Sequence, residues 1–497
     1  MKNIFYLAVF SMLFITSCDK GFEDANVDPT YASSLDVKYK FPQTILYTAG
    51  QRYETWRGNF IYCSVMIQHL ASTQGYWNGD KYTLSNSYAG AFWEAQYPQT
   101  VKALEDMKAQ LEADELTASP EYAMVRVLRV FTYHRLTDLY GDIPYSEAGK
   151  GYIDGVLRPA YDDQEFIYKD MLNELKEASD ALSTGSSELG SADIIFNGDL
   201  SKWKKWANSL MLRLSLRLVK RDAALAQEWA AIAIQGGVMT SNEDIAYVKH
   251  QTGNGILQNA NGEVFLADRS SRISKTFIDF LQGDPRLPIY AALPDGNSDI
   301  AVQKGLPNGY DTTTISDAPG GDDMATYSEV NSNLLQGLDA PMFFQTYAEV
   351  EFMLAESAVR WGLAGGAAAV EGHYNAGVTA AMTYLELYSE DAAISSEAIT
   401  DYLANNPYDS SNALEQINTQ YWAAVFLNEY EAYANWRRTG FPVLTPVNYP
   451  GNVTSGTIPR RLTYFTGEAV TNKENYEAAV ASQGADLLTT RVWWDAE

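Results

Sequence analysis

The stretch FFQTYAEVEFMLAESAVRWGLAGGAAAVEGHYNAGVTAAMTYLELY, residues 343–388, reads as two helices folded back on each other. Phe343, Tyr347, Val350, Leu354, Ala358 and Trp361 recur at the spacing of three and four that lines up one helical face. Gly362 to Gly366 supplies a turn, and Ala367 to Tyr388 runs back. A lone helix of this kind would leave its apolar stripe in water, so the two are expected to bury their stripes against each other as a hairpin.

The same pattern extends in both directions. Tyr122, Val125, Leu128, Phe131, Leu136 and Leu139 mark a helix that Gly141 and Pro144 stop, and Asp162 or Asp163 can cap the next, with Phe166, Leu172, Leu175 and Ala178. Trp203, Trp206, Leu210, Leu214 and Leu218 form another stripe, and Ala223 to Gln235 a partner ended by Gly236-Gly237. A last helix is expected from about Asn412 to Trp436. The pattern predicts an all-α fold, an α-solenoid of degenerate tetratricopeptide-like helical hairpins without a strict repeat period. The helical scaffold is expected over about 41–240 and 341–440. Segments 241–340 and 441–497 are rich in Gly, Pro, Asn and Asp and longer than ordinary connections, so they are expected to be loop-rich insertions on a ligand face.

The amino terminus has the order of an export signal: Lys2, an apolar run from Ile4 to Ile15, and small polar residues before a cysteine. That run is shorter than the roughly 20 apolar residues that span a bilayer. Ile15-Thr16-Ser17-Cys18 resembles a lipobox, which makes 1–17 a lipoprotein signal peptide and Cys18 the lipidated residue. Residues 18–40, with Asp19, Glu23, Asp24 and Asp28-Pro29, are expected to form an acidic tether, and 41–497 a single domain. Lipidation of Cys18 leaves Cys63 without a disulfide partner, so stability must come from the core.

The formal net charge of −27 opposes nucleic acid and anionic lipid as partners. There is no nucleophile elbow, zinc-protease motif or phosphate loop, and His69, His134, His250 and His373 have no ligand spacing, so neither an enzyme, a metal nor a cofactor is expected. Asp295, Asn297 and Asp299 imitate the opening of a calcium loop, but Ile300 stands in place of the turn glycine and Leu306 in place of the bidentate glutamate. Arg213, Arg217 and Arg437-Arg438 suit structural ion pairs or helix ends.

The positive signal is aromatic. Tyr numbers 33 against 19 Phe, with 11 Trp, and a tyrosine or tryptophan combines a flat apolar face with a polar edge suited to sugar rings and interfaces. Tyr76-Trp77-Asn78-Gly79-Asp80-Lys81-Tyr82 gathers rings, an amide and a carboxylate around a glycine. Tyr76, Trp77, Asn78, Asp80 and Tyr82 are therefore the candidate ligand-binding residues, and Trp77 or Tyr76 to Ala is expected to lower affinity with little effect on folding.

Several strings resemble the SusD/RagB family of outer-membrane nutrient-binding lipoproteins, in particular its SusD-like branch described as starch-binding and outer-membrane associating. They are Asn26-Val27-Asp28-Pro29, RLTDLYGDIPYSEA at 135–148, PAYDDQEFIY at 159–168, FNGDLSKWKKWANSLMLRLSLR at 196–217, AEVEFMLAESAVRWG at 348–362, NWRRTGFPVL at 435–444, IPRRLTY at 458–464 and TTRVWWD at 489–495. The resemblance implies a lipid anchor at Cys18 and exposure at the cell surface. It further implies a SusC-like TonB-dependent transporter as partner, and glycan binding and delivery without turnover. The alternatives are an oligopeptide-binding lid of a peptide importer and a mainly structural transporter subunit. The matched strings read as scaffold, with YGDIPY a helix-exit turn, so none of them is itself a sugar site.

Overall fold

The computed structural model describes residues 35–497, so the signal peptide, Cys18 and most of the expected tether lie outside the described residues. Asp36 accepts a hydrogen bond from the Lys38 amide at 2.8 Å and starts helix α1 (Val37–Ala49), which moves the beginning of the folded domain into the stretch assigned to the tether. A single helical turn, Arg52–Glu54, then widens into a ten-residue π-helix, Thr55–Ser64. The principal helices that follow are α2 (Lys102–Ala113), α3 (Pro120–Tyr140), α4 (Gln164–Ala181), α5 (Leu200–Arg217) and α6 (Ala223–Gly236). After the long insertion come α7 (Tyr347–Trp361), α8 (Val370–Thr383), α9 (Ser396–Asn405), α10 (Ala413–Ala424), α11 (Glu429–Thr439) and α12 (Lys473–Gln483).

Local chemistry sets these boundaries. Ser119 accepts from the Tyr122 amide and Pro120 occupies the first position of α3, while Gly141, at φ +85°, ends it. At α7 the Thr346 hydroxyl accepts from the Glu349 amide (3.3 Å) and the Glu349 carboxylate accepts from the Thr346 amide (2.9 Å), a reciprocal cap, and Gly362 closes the helix in the left-handed region. The helices pack in the expected hairpin sequence: α3 on α4, α4 on α5, α5 on α6 and α7, α7 on α8 and α10, and α10 on α11.

Two expectations need correction. Phe343 belongs to a strand, not to the helical face, because Pro341–Gln345 pairs with another extended segment before α7 begins. The single helix expected from Asn412 to Trp436 is two, α10 and α11, broken where Leu427 takes φ +74°. Asn59 of the π-helix causes the break: its Oδ1 accepts from the Glu429 and Tyr430 amides at 3.0 and 3.2 Å, and its Nδ2 donates to the Leu427 carbonyl. A partner distant in sequence thus caps α11 and outweighs the helix propensity of the intervening residues.

Strands are short: β1 (Leu70–Ser72), β2 (Ile143–Pro144), β3 (Tyr161–Asp162), β4 (Ala246–Lys249), β5 (Ser271–Ile273), β6 (Ala291–Ala292), β7 (Glu329–Val330) and β8 (Pro341–Gln345). They form four antiparallel pairs, β1 with β5, β2 with β3, β4 with β8 and β6 with β7. The β1–β5 pair places Ser72 opposite Ser271 and so brings the chain after Ser72 beside the chain before Ser271.

Arginines and acids of the quoted strings meet in the helical core, joined there by Glu431 of α11 and Tyr421 of α10. Arg213 donates to Glu349 and Arg217 to Glu431, each at 2.6 Å, and the Tyr421 hydroxyl joins the two carboxylates. Burial works to raise the Glu431 carboxyl, but the guanidiniums of Arg217 and Arg213 bring it down to about 2. Arg438 pairs with both oxygens of Glu356 at 2.6 and 2.7 Å, and Trp494 donates to Asp138 at 3.0 Å. These side chains tie α3, α5, α7 and α11 to the carboxy-terminal segment, which is why the strings are scaffold.

Candidate functional site

The π-helix gives the site its shape. Its Gly58 faces α11 so closely that an added Cβ would lie 2.7 Å from the Tyr430 hydroxyl, while Trp56 and Arg57, on the same turn, keep part of their surface. The Trp56 indole meets the Tyr76 ring edge to face, with centroids 6.3 Å apart and planes at 80°. Beside them the Arg57 guanidinium lies over the Tyr53 ring at 3.9 Å and near the Tyr88 ring at 5.0 Å. Arg57 donates to the Tyr53 carbonyl, and among the described residues its Nε has no partner and no carboxylate pairs with it.

Asp268 holds this surface from beneath. Its Oδ2 accepts from Trp56 Nε1 (3.0 Å), the Tyr76 hydroxyl (3.0 Å) and Trp77 Nε1 (3.3 Å), and its Oδ1 accepts from the Ser270 amide (2.9 Å). One carboxylate therefore fixes the orientation of three aromatic side chains. The β1–β5 pairing brings Asp268, two residues before the chain reaches Ser270, under the loop that follows β1. The Tyr53 hydroxyl is fixed in turn by Glu94 at 2.8 Å. Burial raises the Tyr76 and Tyr53 hydroxyls above their ordinary value of 10, Glu94 adding to the effect at Tyr53, so both stay protonated donors at neutral pH.

Of the five residues expected in the 76–82 loop, Tyr76 is the one with an open face, at 37 % exposure. Trp77, Asp80 and Tyr82 are each 1 % exposed, which departs from the expectation that the whole loop presents itself to a ligand. Asp80 accepts from Asn308 Nδ2 (2.6 Å), the Gly309 amide (3.0 Å) and Lys81 (3.2 Å). Tyr82 accepts from the Val447 amide, and half-buried Asn78 donates to Thr83. Gly79 explains the burial: an added Cβ would lie 2.6 Å from the Ile61 carbonyl oxygen, so the loop rests backbone to backbone on the π-helix. The glycine serves close packing, and Trp77 is a core residue whose loss should cost folding energy, contrary to the expectation that its replacement has little effect on folding.

Trp56, Arg57, Tyr53 and Tyr88 were not singled out by sequence. The run Tyr53-Glu54-Thr55-Trp56-Arg57, two rings and an arginine ahead of a glycine, carried a compositional signal of the kind used for 76–82. Asp268 carried none, since an acidic residue is unremarkable in a chain of this charge. Asp295, Asn297 and Asp299 spend one oxygen each on backbone amides two residues on, and no group of metal-ligating side chains occurs among the described residues.

The chain matches, over residues 38–465, the SusD-like family described as starch-binding and associating with the outer membrane. The chain belongs to the SusD-like family. Among solved structures this SusD-like chain is similar to a chitin-binding protein at 32 % identity, with a TM-score of 0.83 over 93 % of this chain and 100 % of that one. A SusD-like protein from Bacteroidetes matches at 26 % identity and TM-score 0.80 over 93 % and 100 %. A SusD homologue from Bacteroides uniformis matches at 25 % and 0.77 over 93 % and 99 %. No curated protein sequence matches the chain. The family is described by binding and not by a catalysed reaction, and the first of these neighbours is named as a binding protein. No described helix of the SusD-like chain is long and apolar enough to cross a membrane.

Proposed function

We propose that this SusD-like protein is a cell-surface lipoprotein, anchored through Cys18, that binds oligo- or polysaccharide on the Trp56–Tyr76 platform and delivers it to a SusC-like TonB-dependent transporter. The observation that carries the binding role is the orientation of Trp56 and Tyr76 by one buried carboxylate, Asp268. Aromatic faces held in place lose little conformational freedom on meeting a ligand. A sugar ring presents C–H groups to such faces and hydroxyls to its surroundings. The Tyr76 hydroxyl and the terminal guanidinium N–H groups of partly exposed Arg57 supply polar contacts at the rim. The platform is open, as suits a segment of a longer polymer.

The family description and the chitin-binding relative favour an uncharged glycan. The net charge of −27 points the same way, against polyanions. Delivery, not turnover, is the role consistent with a family of binding proteins. The test is titration of the protein with chitin oligosaccharides, maltooligosaccharides and a peptide mixture, with bound material recovered and sized. A glycan bound and recovered intact supports the reading; binding of peptides alone, or recovery of shortened glycan, overturns it.

A further inference from the structure

A cleft of about 480 Å³ opens among α8, α9, α10 and the end of the short helix Lys275–Phe280, and it shares no residue with the Trp56–Tyr76 platform. The volume falls within the range of small-molecule clefts. Its floor is aromatic, with Phe280, Tyr374 and Tyr402, and no lysine, arginine or histidine among the described residues lines it.

The floor is rigidly held. Arg286, paired with Asp284 at 2.6 Å, donates to Gln420 Oε1 at 2.8 Å, and Gln420 Nε2 donates to the Tyr402 hydroxyl at 2.8 Å. All of these groups are buried, so the relay fixes both the amide and the ring. The rim differs. The Glu415 carboxylate and the Thr419 hydroxyl, one turn apart on α10, face the cleft without a hydrogen bond to any other described residue, and both keep exposed surface. Asn406 and Gln282 each donate to a backbone carbonyl one turn back, which leaves their side-chain oxygens as acceptors at the same rim.

An aromatic floor beneath free acceptors and a hydroxyl matches a ligand with an apolar face and many hydroxyl groups. The single charge that the described residues place at the rim is negative, so an anionic ligand would be repelled with no cation among them to offset it. We propose that this cleft is a second carbohydrate subsite, taking a short segment of an uncharged glycan, an inference that rests on the glycan-binding reading of the protein. A polymer engaged at two places would bind by avidity, the second contact being intramolecular.

The test is calorimetric titration of the intact protein in detergent with chitotriose and with maltotriose. Two equivalents of one sugar are expected. Thr419→Trp, which sets an indole into the cleft from a partly exposed helical position, should remove one equivalent and leave the affinity of the other unchanged. Glu415→Gln, which keeps the shape of the rim, should weaken that same equivalent several-fold. The double change Trp56→Ala with Tyr76→Ala should remove the other equivalent, with melting curves verifying that each variant is folded. One equivalent only, lost in the platform variant and untouched by Thr419→Trp, overturns the cleft and leaves the platform standing. One equivalent lost only in Thr419→Trp overturns the platform and supports the cleft, and no uptake of either sugar overturns both.

Discussion

Trp56 and Asp268 stand 212 residues apart in the chain and are joined by a 3.0 Å hydrogen bond from the indole Nε1 to the carboxylate Oδ2. Because the same oxygen accepts from Tyr76, the acid sets the angle between the two rings of the platform. Asp268→Ala is expected to free both rings and weaken glycan binding roughly 10-fold, about 1.4 kcal/mol, although the residue is itself buried. Asp268→Asn, which keeps one oxygen acceptor, should lose less. Equal affinity in wild type and Asp268→Ala would show that the orientation of the rings does not govern binding.

Tyr76 and Trp77 are neighbours with opposite roles. Tyr76→Ala should leave the unfolding midpoint nearly unchanged and lower glycan affinity by about 0.5 to 1.5 kcal/mol, the worth of an aromatic contact beyond its area. Trp77→Ala removes a fully buried ring and should cost about 3 to 5 kcal/mol of stability. Denaturant unfolding beside ligand titration separates the two, and a Trp77→Ala protein as stable as wild type would contradict the burial.

Glu356 tests the scaffold without touching the platform. Burial opposes its charge, yet the guanidiniums of Arg438 and Arg360 hold its carboxyl well below the ordinary range. Glu356→Ala strands the Arg438 guanidinium in the core and is expected to destabilise by about 3 to 5 kcal/mol. At a temperature where the variant is still folded, its glycan affinity should equal that of wild type.

Glu54 makes stability depend on pH. Its Oε1 caps the Gln51 amide at 2.7 Å while Oε2 is buried without a partner among the described residues, and burial pushes the carboxyl from 4.5 up to about 7, with Arg135 opposing. Between those values the folded protein keeps a proton that the unfolded chain has lost, so this group's contribution to stability falls as pH rises from 4.5 to 7. The loss amounts to about 3 kcal/mol at most, and it levels off above pH 7. Glu54→Gln should gain stability relative to wild type on going from pH 5 to pH 8 in urea unfolding. Parallel pH profiles for the two proteins would place the Glu54 carboxyl near its ordinary value.

Periodicity made the hairpins legible, since an apolar stripe at helical spacing must be covered and glycine or proline marks where the chain turns. It did not reveal that Asn59 breaks the chain between α10 and α11, because the cap comes from a helix more than three hundred residues away. The same limit applied to the site. The 76–82 loop was recognisable as aromatic, but whether its rings face water or core depends on what lies underneath, and Gly79 sets it directly on the π-helix.

The amino-acid sequence by itself determined the helical scaffold, the family, the acidic surface and which residue types could serve a binding site, because these follow from spacing, composition and short motifs. Only the tertiary structure decided which aromatic residues form the platform. The pairing of β1 with β5 carries Asp268 beneath Trp56 and Tyr76, and a hydrogen bond between residues so far apart leaves no periodic trace in the chain that makes it.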